Sequence, residues 1–159
     1  MRRSRRLATA LSLNRAGNFV SPLLLPLALM CSAVATAKPI DPAGGRIVGE
    51  WRGSSLCTNL KLTPACKDET VRYVFTGPIG GANTYHLVAD KLVGKSYETM
   101  GEFDLTYSSV KRTWTVEFKT RQFPKCTWWY RVEGSGLMGG LTTDTGDTLR
   151  KVSAKRYSR

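Results

Sequence analysis

The amino-acid sequence predicts an all-β fold, an eight-stranded antiparallel up-and-down barrel. Three observations predict it. Eight short segments between Arg46 and Tyr157 alternate apolar and polar residues, the period of strands with one buried face. The connections between them are short and rich in Gly, Pro, Ser and Asp, which joins neighbours as hairpins. No segment carries an amphipathic helical period of any length. A meander of strands leaves exposed edges unless it closes, so a barrel is expected rather than an open sheet. A two-sheet sandwich is the alternative, and it would need Greek-key crossovers that such short connections do not supply.

The chain divides into an expected export signal over 1–37, a linker over 38–45 and one barrel domain over 46–159. The signal opens with Arg2, Arg3, Arg5, Arg6 and Arg15 and no acid. It continues as an uncharged apolar run from Phe19, and ends in Ala35-Thr36-Ala37, a small-x-small cleavage pattern. Cleavage is expected rather than a retained anchor, because Pro22 and Pro26 interrupt the apolar run. Met30 before Cys31 argues against a lipid anchor, and Leu7-Ala8-Thr9 after Arg5-Arg6 favours the general secretory route over a twin-arginine route. The protein is therefore expected in a periplasm or outside the cell, with no integral membrane span after cleavage. Pro39, Pro42 and the Gly44-Gly45 pair mark the linker.

The first strand is expected over Arg46–Cys57, with Ile47, Gly49, Trp51, Gly53 and Ser55 on one face. The second, Thr70–Thr76, alternates Val71, Tyr73 and Phe75 with Arg72 and Val74, and Gly77-Pro78 ends it. The third, Thr84–Leu92, turns Tyr85, Leu87 and Ala89 one way and His86 and Val88 the other. The fourth runs from about Glu98 to Tyr107, bent at Gly101, with Phe103, Leu105 and Tyr107 opposite Glu102, Asp104 and Thr106. The fifth, Arg112–Thr120, sets Trp114, Val116 and Phe118 inward. The sixth, Cys126–Glu133, does the same with Trp128, Tyr130 and Val132. The seventh, Leu137–Thr143, is broken by Gly139-Gly140, and Asp144-Thr145-Gly146-Asp147 turns the chain into the eighth, Thr148–Tyr157.

The full chain carries a formal charge of +12. Loss of the signal leaves 19 basic and 12 acidic residues, a net +7. Those basic residues are dispersed apart from a small cluster at Arg150, Lys151, Lys155, Arg156 and Arg159. Without an Arg-rich run interleaved with aromatics, nucleic acid is not an expected partner. Weak attraction to an anionic envelope surface suits the charge. Of the cysteines left after cleavage, Cys57 and Cys66 flank one polar loop. A disulfide between them is expected in an exported protein, stabilising by about 2–3 kcal/mol on the chain-entropy model. Cys126 is then either a buried thiol acting as a small apolar residue, or a partner for Cys57, Cys66 or another chain.

Gly49-Glu50-Trp51 resembles the opening of the lipocalin and calycin superfamily, in which a glycine-x-tryptophan pair begins the first strand and the tryptophan closes one end of the barrel. Cys66-Lys67-Asp68-Glu69, Ala89-Asp90-Lys91 and Met100-Gly101-Glu102-Phe103-Asp104 resemble small exported bacterial proteins of this barrel class, to which no activity is assigned. The resemblance spans residues 46–157. It implies that Gly49 and Trp51 close the barrel with an arginine from the far end of the chain over the indole. Arg150 and Arg156 are the candidates, since both share the face of Val152 and Ala154. The loop after the first strand is short where many lipocalins carry a long lid, and no helix follows the barrel.

The inward set holds Tyr73, Phe75, Tyr85, Phe103, Tyr107, Trp114, Phe118, Trp128 and Tyr130. An eight-stranded barrel is just wide enough to be filled by side chains or to hold one small ligand. Two readings stay open: a filled aromatic core, or a cavity for a small apolar or planar ligand lined by Tyr73, Tyr85, Phe103, Tyr107, Trp114, Phe118, Trp128 and Tyr130. His86, the one histidine, falls on the outward face, so an axial haem ligand is not expected. One histidine and at most one unpaired cysteine do not close a zinc tetrahedron. Glu102 and Asp104 share a polar, solvated face, which does not suit an acid–base pair. No catalytic residue and no cofactor are therefore assigned. The expected function is non-enzymatic ligand binding. The alternative is an envelope protein-binding module, such as an inhibitor of an exported protease or hydrolase, with Trp129 on the outer face as a candidate contact.

Overall fold

The computed structural model describes residues 42–80 and 83–158. The expected signal and most of the linker lie outside these residues. From Gly49 the chain forms β1 (Gly49–Cys57), β2 (Glu69–Thr76), β3 (Thr84–Val93), β4 (Ser96–Ser108), β5 (Thr113–Phe118), β6 (Cys126–Glu133), β7 (Gly136–Thr143) and β8 (Thr148–Ser158). Each strand pairs antiparallel with its sequence neighbours, and β8 returns to β1, so the sheet is a closed eight-stranded up-and-down barrel. No helix among the described residues is long and apolar enough to cross a membrane.

The first strand begins later than the alternation suggests. Residues Gly44–Ile47 form a 3-10 turn instead, and the strand starts at Gly49. Gly49 has a φ of 122°, a conformation that side chains rarely adopt. It redirects the chain from the turn into the barrel wall. Ile47 is thereby delivered into the end of the barrel, fully buried. At Gly53, where β1 runs beside β8, a Cβ would stand 2.0 Å from the Ser153 carbonyl oxygen. Closure of the barrel therefore needs glycine at that crossing. β5 is shorter than its alternation predicts. Its first expected member, Arg112, is lost to the turn, where it takes a φ of 53°, and its last two to a loop closed by Thr120 N–H on the Phe123 carbonyl.

The bend expected at Gly101 is a β-bulge. The register of β3 against β4 jumps from Ala89↔Gly101 to Asp90↔Thr99, so Met100 has no partner across the ladder. Asp90, on the outward face, is nonetheless only 2% exposed. It accepts from Arg72 Nε at 2.8 Å and from Thr99 Oγ1 at 2.8 Å. Arg72 and Arg52 in turn lie over the Tyr97 ring.

Candidate functional site

The barrel has two unlike ends. At the end where β1 begins, Trp51 is fully buried and donates its indole N–H to the Ile47 carbonyl at 2.7 Å. The Arg156 guanidinium stacks 4.0 Å above the Trp51 ring and donates to the Val48 carbonyl at 2.7 Å and to the Arg46 carbonyl. Arg156 thus ties the end of the 3-10 turn to β8 while covering the indole. Trp114 packs against Tyr107 and, edge-on, against Tyr85, with ring centroids 4.7 and 6.3 Å apart. All three are at most 5% exposed.

Three of the eight expected cavity residues, Tyr85, Tyr107 and Trp114, therefore do not line the interior cavity. The reason lies in strand direction. β3 and β5 start, and β4 finishes, at the plugged end, so their inward aromatics there meet one another and the 3-10 turn. Arg150 likewise departs from its expected barrel-closing role. It sits six residues before Arg156 on the same face of β8, which carries it to the opposite end of the barrel.

At that opposite, open end lies a cavity of about 230 Å³. Its lining includes Tyr73, Phe103, Phe118, Trp128 and Tyr130, five of the expected residues. Phe103 and Phe118 form a tilted pair with centroids 6.0 Å apart. Trp128 stacks along Tyr130 at 6.0 Å and 14°. Ser55, Glu69, Ala89, Met100 and Arg150 complete the lining. Ser55, Glu69, Ala89 and Met100 were not expected as site residues, and Arg150 was expected to close the barrel instead. Ser55 is small, Glu69 precedes the expected strand, and Met100 turns inward only because of the bulge. Gly101 signalled a bend without showing which neighbour would face the interior.

The polar side of the cavity is a connected chain. Arg150 donates from Nε to Ser55 Oγ at 2.8 Å and from Nη2 to the Ser55 carbonyl at 3.1 Å, the Lys67 carbonyl at 3.0 Å and Glu69 Oε2 at 2.7 Å. Its Nη1 lies 3.4 Å from Cys66 Sγ. The guanidinium is thus neutralised by Glu69 and clamps the loop that follows β1. A disulfide joins Cys57 and Cys66 in that loop, a bond that persists in oxidising compartments. Ser55 hydrogen-bonds Tyr73, and Tyr73 hydrogen-bonds Tyr130.

Burial pushes the Tyr73 phenol up to about 12 from its ordinary 10.0, while the Ser55 hydrogen bond and the Arg150 charge pull it back only in part. Burial, with the adjacent Tyr73, also raises Tyr130 well above the usual phenol range. A phenol that holds its proton more tightly in the folded chain makes stability fall as pH rises through the interval between the two values. The unfolding free energy is expected to be level below pH 10 on this account, and to decline between pH 10 and about 12. Urea titrations across that range check it, and Tyr73→Phe should flatten the decline.

The remaining expectations fall outside this cavity. Cys126 is a free, buried thiol, and burial with the nearby Asp144 raises its pKa. His86 faces outward between Asp104 at 2.8 Å and Glu102 at 3.5 Å. Trp129 lies half-buried on the outer wall with its indole over Gly140. No group of three or more His, Cys, Asp or Glu among the described residues could hold a metal ion.

No protein-family profile matches the chain. No curated protein matches it either. Among solved structures it is similar to a mutant of the fluorescent protein UnaG, at 12% identity and a TM-score of 0.45, over 71% of this chain and 97% of that one. At that identity the likeness concerns the fold alone.

Proposed function

We propose that this protein is an exported, non-catalytic barrel of the lipocalin-like class that binds a small, uncharged, planar ligand at its open end. The observation that carries the reading is the cavity of about 230 Å³ walled by Phe103, Phe118 and Trp128, with the hydroxyls of Ser55, Tyr73 and Tyr130 along one side. An apolar cavity of about 150 Å³ takes up a benzene, so this volume suits a one- or two-ring compound. The ligand is uncharged because Glu69 already neutralises Arg150, whose Nε and Nη2 donors are engaged. An incoming carboxylate would lose its hydration and find no unpaired cation. A carbonyl or hydroxyl oxygen would instead meet neutral hydroxyls that can donate to it. The raised phenol pKa values leave both tyrosines neutral and poor as bases, which supports binding over catalysis.

Placement in the lipocalin-like class rests on Gly49-Glu50-Trp51 and on the arginine over its indole. Export rests on the character of residues 1–37 and on the disulfide. Calorimetric titration with p-cresol, acetophenone and benzoate tests the ligand class. Saturable binding of the two neutral compounds is expected, at least about tenfold tighter than benzoate, a difference of about 1.4 kcal/mol. Met100→Trp at the cavity rim should abolish it. If no one- or two-ring compound binds saturably, the reading is wrong.

A second reading, as a protein-binding module, draws on the outer wall. There Leu56, Trp129 and Met138 line a largely apolar groove of about 400 Å³. It predicts a specific partner whose capture is lost in Trp129→Ala and kept in Met100→Trp.

A further inference from the structure

The plugged end of the barrel carries a second concavity, separate from the ligand cavity. It is a cleft of about 480 Å³ lined by Ala43, Arg46, Tyr107, Lys111, Arg112, Trp114, Arg131, Val132 and Glu133. Four of these side chains are basic and one is acidic. Glu133 is engaged by Arg131 at 2.6 Å. Arg46, Lys111 and Arg112 have no acidic partner within ion-pair distance among the described residues. They come from the 3-10 turn and the β4–β5 turn, two segments far apart in sequence that the barrel end brings together. Like charges gathered on one cleft repel unless an anion joins them.

Two further features of the same cleft point to an anion. Trp114 is 2% exposed, and its indole Nε1 is buried with no hydrogen-bond partner among the described residues. A buried donor without an acceptor is costly, and such a group usually marks a missing partner. Arg112 has a φ of 53°, and among the described residues it alone combines a side chain with a left-handed backbone. Glycine would occupy that turn position without strain. Keeping a long cation there, at the cost of backbone strain, is what a functional constraint on Arg112 would produce.

We propose that this cleft binds an oxyanion, a phosphate or phosphoryl group. Arg112, Lys111 and Arg46 supply the charge, above a floor that includes Trp114. A phosphate fills only part of the cleft, so room remains for an organic group attached to it. The same chemistry is offered by a free phosphoryl compound and by an anionic lipid headgroup, and two experimental arms separate them.

In the first arm, inorganic phosphate is titrated against the purified protein, with chloride at matched ionic strength as control. A phosphate-specific rise in Tm of about 2–4 °C is expected. In the second arm the protein is sedimented with phosphatidylglycerol or phosphatidylcholine vesicles. The variant is Arg112→Gly. It should raise Tm in chloride by about 3–5 °C, through relief of strain, and weaken phosphate binding at least tenfold.

A phosphate response lost in Arg112→Gly supports a soluble ligand. Retention on phosphatidylglycerol alone, lost in the same variant, supports a lipid headgroup. No response in either arm, or responses unchanged by Arg112→Gly, overturns the proposal. The gain in Tm shows that the variant is folded, so a lost response is not a folding failure.

Discussion

Replacing Trp51 with alanine is expected to lower the unfolding free energy by about 3–5 kcal/mol, a loss large against the ~5–15 kcal/mol typical of a domain. Three contributions combine. The indole is fully buried among Ile47 and its barrel neighbours, so its removal leaves a void that β1 and β8 cannot collapse around. The Ile47 carbonyl loses its donor at 2.7 Å. Arg156 loses the ring beneath it, a contact of about 1–2 kcal/mol when partly desolvated. Urea unfolding followed by tyrosine fluorescence measures the total. Trp51→Phe should recover part of it, because a phenyl ring refills much of the void and still lies under Arg156. The open-end cavity lies at the far end of β1, so a Trp51→Ala variant that remains folded at low temperature should keep its affinity for p-cresol.

Arg150→Ala is expected to cost about 2–4 kcal/mol and to loosen the open end. The guanidinium is 15% exposed and serves acceptors on Ser55, Lys67 and Glu69. Without it, Glu69 is left as a half-buried carboxylate with no cation, and the loop carrying the disulfide loses its anchor to β8. The partner substitution separates charge from packing. Glu69→Gln retains a hydrogen-bond acceptor for Arg150 and leaves the cavity with an unneutralised cation. It should therefore cost less stability than Arg150→Ala and improve benzoate binding about tenfold, while p-cresol binding stays within about threefold. Equal weakening of both ligands would show that Glu69 acts only through the fold.

The barrel itself was legible because alternation, turn chemistry and strand count all point to one architecture. The polarity of the barrel was not. Alternation says that Tyr85, Tyr107 and Trp114 face inward, and they do. It does not say at what height along the axis each one sits. Height follows from strand direction and register, and the bulge opposite Ala89 and Asp90 shifts that register by one residue. The inward aromatics thus divide into a packed set at the Trp51 end and a cavity-lining set at the other. Arg150 and Arg156 could not be told apart by face for the same reason, since they differ in height alone. Glu69 escaped notice because its role depends on Arg150, 81 residues away. The disulfide was accessible from spacing because its ring is local.

The barrel divides into a structural plug around Trp51 and a proposed binding cavity around Trp128. Backbone amide and indole chemical-shift mapping during titration with p-cresol tests this division most directly. Saturable shifts confined to Ser55, Ala89, Met100, Phe103, Phe118 and the Trp128 indole are expected, with the Trp51 and Trp114 indoles unmoved. Shifts centred on Trp51 and Trp114, or no saturable shifts at the Trp128 end, would contradict it.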